Sequence, residues 1–90
     1  MAGEHGFIKR SKDGSDFTFG DGTPVRFWAV NDSAFDKNLG RHARALAKRG
    51  VNMVRFHSNI TPDGQRLTHI KAAERDQIWR GVAAMKQEGI

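Results

Sequence analysis

The chain has 90 residues, enough for one small domain, with 38% hydrophobic and 28% charged residues and a formal net charge of +5. The absence of cysteine excludes a disulfide scaffold and cysteine-ligated zinc. No apolar run approaches the roughly 18 residues of a membrane-spanning helix, and Met1-Ala2-Gly3-Glu4-His5-Gly6 lacks the charged-then-apolar order of a secretory signal.

Residues 1–6 read as a flexible, glycine-rich tail. The pattern from Phe7 to Asn31 is β. Phe7-Ile8-Lys9 is a short strand before a turn at Lys12-Asp13-Gly14, and Asp16-Phe17-Thr18-Phe19 alternates polar and apolar. Gly20-Asp21-Gly22 then marks a hairpin turn, because glycine and aspartate tolerate the positive φ such turns require. The run Pro24-Val25-Arg26-Phe27-Trp28-Ala29-Val30 predicts a strand with Pro24, which lacks a ladder donor, at its start or edge. Its second half, Phe27 to Val30, is apolar enough to predict a strand covered on both faces, with Trp28 as core.

A polar loop follows at Asn31-Asp32-Ser33-Ala34-Phe35, with Asp36 and Asn38 as candidate helix N-caps. Leu39, Ala43, Leu46 and Ala47 fall on one helical face, Lys48 and Arg49 favour the negative end of the dipole, and Gly50 suits the left-handed position beyond the helix. Residues 51–57 predict a strand that begins apolar (Val51, Met53, Val54) and ends polar (Arg55, His57), followed by Ser58 and Asn59. In a parallel α/β protein, ligands sit at the carboxyl ends of strands, so this is the candidate site. After a loop with turn chemistry at Thr61-Pro62-Asp63-Gly64, a second helix is predicted over about 72–88, with Ile78, Val82 and Met85 as its core stripe, widened by Trp79 and Ala83. Lys48-Arg49-Gly50-Val51 and Gln87-Glu88-Gly89-Ile90 occupy the same place in the pattern, with their glycines 39 residues apart. That spacing is consistent with a repeated βα unit.

Lys37, Arg41, Arg44, Lys48 and Arg49 carry no acidic residue among them, and the sequence pI is near 10.3. A solvated helix face is the preferred account of this charge; a small basic module for nucleic acid or another polyanion is the alternative, although no nucleic-acid motif accompanies it. His42 and His69 read as surface residues. No pair of histidines has metal-ligand spacing, so no metal site is expected; no other cofactor is expected either.

The stretch Phe17-x-Phe19-x-Asp21-Gly22-Thr23-Pro24-Val25-Arg26-Phe27-Trp28-Ala29-Val30-Asn31 resembles the opening of clan A glycoside hydrolases, in particular the cellulase-like family 5 enzymes. Leu46-x-x-x-Gly50-x-Asn52-x-Val54-Arg55 is similar to that family's second strand and its approach, and Asp76 through Met85-Lys86-x-x-Gly89-Ile90 to the helix before its third. Ala29, where glycine is frequent, departs from the pattern. The resemblance implies an α/β fold: an N-terminal β-hairpin (7–23) and the first two βα units (24–50 and 51–89) of an incomplete (β/α)₈ barrel. It also implies hydrolysis of β-linked polysaccharides by two glutamates, one protonating the leaving oxygen and one attacking the anomeric carbon. Those glutamates belong to later strands, beyond Ile90, so the 90-residue chain is expected to be inactive alone. By the same resemblance Arg55 supports the nucleophile, His57 lines the sugar site, Asn31 and Asn59 assist, and Asp32 is a further loop candidate. It implies a polysaccharide or oligosaccharide substrate and an extracellular or periplasmic parent protein. Independently of it, the exposed strand edges favour self-association.

Overall fold

A computed structural model describes residues 1–32, 38–57 and 71–90. The described residues form a small mixed α/β arrangement with two helices and two small sheets. In order, its elements are β1 (Lys9–Arg10), β2 (Phe17–Thr18), β3 (Ala29–Asp32), α1 (Leu39–Ala47), β4 (Met53–Phe56) and α2 (Ala72–Gln87). No described helix is long and apolar enough to cross a membrane.

β1 and β2 form an antiparallel hairpin in which Lys9 pairs with Thr18 and Arg10 with Phe17. Its turn is built around Asp13. The carboxylate accepts the Ser11 hydroxyl at 2.5 Å, the Ser15 N–H at 3.1 Å and the Ser15 hydroxyl at 2.8 Å, while Gly14 takes a φ of 72°. These donors stabilise the ionised form, the Ser11 hydroxyl most, and hold the Asp13 carboxyl at about 2 against an ordinary 3.8. Because the folded value is the lower one, the turn gains stability from Asp13 above 3.8 and loses it as pH falls through about 2. We therefore expect the Ser15 amide resonance to titrate with an apparent midpoint near 2 in wild type and to lose that inflection in Asp13→Asn; a midpoint at the ordinary aspartate value would show that the turn is not closed in solution.

The turn at Gly20-Asp21-Gly22 also forms, with the Phe19 N–H donating to Thr23 and the Gly22 N–H to Phe19. Beyond it, pairing is reduced to a single antiparallel bridge between Thr18 and Pro24 and one bond from the Val25 N–H to Phe17. The expected strand over 24–30 is thus shorter than its composition implied. Pro24 and Val25 belong to the hairpin, and regular strand begins only at Ala29. Residues 1–6 form turns against this unit. The Ala2 N–H donates to the Lys86 carbonyl at 2.8 Å, and His5 lies 3.0 Å from Asp21 and stacks at a tilt on Phe19.

β3 and β4 pair in parallel, with Ala29 opposite Met53, Val30 opposite Val54, Asn31 opposite Arg55 and Asp32 opposite Phe56. α1 connects them. It begins at Leu39 with Asn38 at the N-cap position, but Asn38 makes no side-chain cap bond there; Asp36 lies outside the described residues. At the other end, the Gly50 N–H donates to Ala47 and the Val51 N–H to Leu46, with Gly50 at a φ of 79°. α2 ends in the same way: the Gly89 N–H donates to Lys86, the Ile90 N–H to Met85, and Gly89 has a φ of 86°. Both are Schellman ends that satisfy the last helical carbonyls, and both need a left-handed residue that only glycine adopts without strain. The repeat in the sequence is therefore a repeat of structure.

The core is small. Ala43 and Met85 form its buried centre, and Leu39, Leu46, Val54, Phe56, Ala84 and Ile90 pack around them. α2 presents Gly81 and Met85 inward while Val82 and Trp79 stay 55% and 62% exposed, so the helix is rotated from the expected Ile78–Val82–Met85 stripe. The physical reason is a shortage of neighbours. α2 packs on α1 and, with Val54 and Phe56 of β4, around the Ala43–Met85 centre, while Trp79 and Val82 on its other apolar flank stay exposed. The same shortage corrects the reading of Phe27 to Val30 as a doubly covered strand: Phe27 and Trp28 are exposed, Trp28 by 64%.

Candidate functional site

Alternation along the parallel pair sorts its side chains onto two faces. Val54 and Phe56 pack onto the helical cluster, so Met53 and Arg55 project from the opposite face, and both are exposed. On β3, Ala29 and Asn31 are the exposed residues of the pair. Asn31 and Arg55 are register partners, hence immediate neighbours across the sheet. His57 is exposed just past β4, two residues after Arg55, and its N–H donates to the Asp32 carbonyl at 2.9 Å. Three of the four site candidates, Asn31, Arg55 and His57, are thereby gathered at the carboxyl end of the sheet on the side away from the helices. The fourth, Asn59, lies outside the described residues.

Among the described residues, the side chains of Asn31, Arg55 and His57 make no hydrogen bond or ion pair. The face therefore offers a fixed fork of guanidinium donors, an amide and an imidazole, a set suited to a carboxylate and to sugar hydroxyls. Among the described residues it carries no acid/base pair of carboxylates. The three glutamates are elsewhere: Glu4 holds the N-terminal amine at 2.7 Å, Glu74 is in the first turn of α2, and Glu88 lies 3.5 Å from Arg44. That last contact pairs Arg44 with the end of α2, although Arg44, like Arg41, Lys48 and Arg49, stays exposed.

Two contacts went unread in the sequence. Asp32, considered as a loop residue near the ligand, is the last residue of β3, and its carboxylate bonds to His42 Nε2 on α1. Asp32 is 10% exposed and His42 32%, so His42 is half-buried rather than a surface residue. The pair ties the end of β3 to the middle of the helix that follows it. Asn52, a position within the Leu-x-x-x-Gly-x-Asn-x-Val-Arg stretch, has an equally specific task. Its Oδ1 accepts the Trp28 N–H at 2.8 Å, its Nδ2 donates to the Arg26 carbonyl at 2.7 Å, and its own N–H donates to the Trp28 carbonyl at 3.1 Å. The side chain thus continues the β3–β4 pairing backward, where β3 has no regular strand. Trp28, expected as core, is held here by its backbone while its ring is exposed.

No known protein family matches this chain, and neither a curated protein nor a solved structure shows significant similarity to it.

Proposed function

We propose that this chain is the opening of a (β/α)₈ barrel, the hairpin and first two βα units of a retaining glycoside hydrolase acting on β-linked polysaccharides. The observation that carries the reading is the parallel register of Asn31 with Arg55, which places a guanidinium and its polar neighbours at the carboxyl end of the sheet on the face opposite the helices. In a barrel that face lines the interior and that end holds the active site. An antiparallel pairing of the same residues would be incompatible with it. In this reading Arg55 bonds bidentately to the nucleophile glutamate, orienting it and keeping it ionised. Asn31 and His57 bond to sugar hydroxyls or to the residues that hold them. Both catalytic glutamates come from later strands of the parent protein, and the chemistry needs no cofactor.

The test is the coding sequence and its product. The reading frame is expected to continue into further βα units with a glutamate at the carboxyl ends of two later strands, and the whole protein to release sugars from a β-glucan or β-mannan with retention. Arg55→Ala in that protein should lower kcat by about tenfold or more, the effect of losing roughly 1.5 kcal/mol or more of charge-assisted hydrogen bonding. The 90-residue chain alone should turn over neither polymer. Turnover by the pure 90-residue chain, or a parent protein inactive on all β-glycans, would refute the assignment.

A further inference from the structure

The outer face of α1 carries charge that its own helix disfavours. At about 100° per residue, Arg41, Arg44 and Lys48 fall within an arc of about 60° on the side away from buried Ala43. All three are exposed. They follow one another at three and four residues, about 4.5 and 6 Å along the axis, the spacings at which like charges repel. Arg41 also lies in the first turn, where the helix dipole favours an acid and opposes a cation. That turn holds no acid, and Asn38 adds no side-chain cap bond. Among the described residues Arg41 and Lys48 make no hydrogen bond or ion pair, and Arg44 meets Glu88 at 3.5 Å with its own side chain 60% exposed. Arg49, by contrast, is committed, since its Nη1 donates to the Ala45 carbonyl at 2.9 Å. Local preference broken at three neighbouring positions, with one long ion pair to offset it, points to a function outside the fold.

The surroundings of these cations select the chemistry of the partner. α1 has no Phe, Tyr or Trp on which a base could stack. Its apolar residues Leu39, Ala43 and Leu46 are packed in the core, which leaves no apolar flank to enter a lipid surface. What remains is a row of donors for anions repeated along an extended polymer, and the arginine fork matches a carboxylate bidentately. This row lies on the helix side of the sheet, whereas Asn31, Arg55 and His57 lie at its other face. A polymer held on α1 therefore leaves the candidate site open.

We propose that the outer face of α1 is a non-catalytic docking surface for a carboxylated polysaccharide, held by Arg41, Arg44 and Lys48. The choice of a glycan over a nucleic acid rests on the hydrolase reading, while the anion contact itself rests on the helix alone.

The probe is an oligomer of β-linked mannuronate, titrated into the isotopically labelled 90-residue chain beside an uncharged β-mannan oligomer of the same length. Mannuronate should shift the amides of residues 41–49 and leave those of Asn31, Arg55 and His57 in place. The uncharged oligomer should leave 41–49 unmoved. Three charge contacts, with the counterion release of a single-stranded polyanion, should make the affinity fall about tenfold between about 50 and 200 mM salt. The double variant Arg41→Gln, Lys48→Gln should weaken binding about tenfold or more. Because it relieves repulsion within the helix, it should not lower the urea midpoint. Four results would overturn the proposal: no shift at 41–49 with saturating mannuronate, equal shifts from the uncharged oligomer, tighter binding of a DNA duplex than of mannuronate at equal salt, or a lowered urea midpoint in the double variant. Turnover by the whole protein tests the hydrolase reading separately, so the two failures are distinguishable.

Discussion

Ala43→Asp is expected to abolish cooperative folding. Ala43 is fully buried at the junction of α1, α2 and the helix-facing side of β4. A carboxylate placed there has only apolar neighbours from that cluster, and an uncompensated buried charge costs several kcal/mol. Typical stabilities of 0.05–0.15 kcal/mol per residue correspond to about 5–13 kcal/mol for a chain of this size. Only four apolar residues among those described are buried, Val25, Ala43, Val51 and Met85, which places this chain toward the bottom of that range. The penalty and the total are thus comparable. Far-UV circular dichroism through a urea titration should show a sloping, non-cooperative signal for Ala43→Asp, whereas Ala43→Ser should keep a transition, weakened by about 1 kcal/mol because a hydroxyl can still bond within its own helix. A sigmoidal transition in the aspartate variant would mean that the α1–α2 contact is not what holds the fold together.

The second large effect belongs to Asn52. Replacing it with alanine removes the acceptor of the Trp28 N–H and the donor to the Arg26 carbonyl. At about 1 kcal/mol for each hydrogen bond, the loss is about 2 kcal/mol. The damage should be local before it is global. Residues 26–28 have no ladder of their own, so amide exchange at Trp28 should accelerate more than at Val54. Asn52→Asp provides the sharper comparison, since it keeps the acceptor for Trp28 but turns a second acceptor toward the Arg26 carbonyl; it should be no more stable than the alanine variant. A urea midpoint within error of wild type, with Trp28 exchange unchanged, would remove Asn52 from any part in the sheet. A Trp79→Phe background leaves Trp28 as the single tryptophan for fluorescence.

These two residues mark how far local reading extends. Ala43 was legible because helical periodicity aligned it with Leu39, Leu46 and Ala47, and a face defined by i, i+4, i+7 does not depend on what it packs against. Asn52 was quoted within a stretch of familiar appearance, but its partners lie 24 and 26 residues away, and no local signal distinguishes an asparagine that mends a sheet from one that closes a turn. The Asp32–His42 contact escaped for the same reason. α2 shows a different failure. Its apolar residues admit more than one inward face, and choosing between them required knowing that its buried side packs with α1 and with Val54 and Phe56 of β4.

What the amino-acid order determined by itself is the set of parts and their ends: two helices, the hairpin turns at Asp13-Gly14 and Asp21-Gly22, and the glycines at 50 and 89. Each of these rests on torsional preference or on a period within one segment, and neither needs a distant partner. Tertiary structure alone decided which residues meet. The parallel register put Asn31 beside Arg55, the rotation of α2 exposed Val82 and Trp79, and the side chain of Asn52 replaced a missing stretch of strand. Such pairings depend on contacts between segments far apart in the chain, whose free energy is absent until the segments pack.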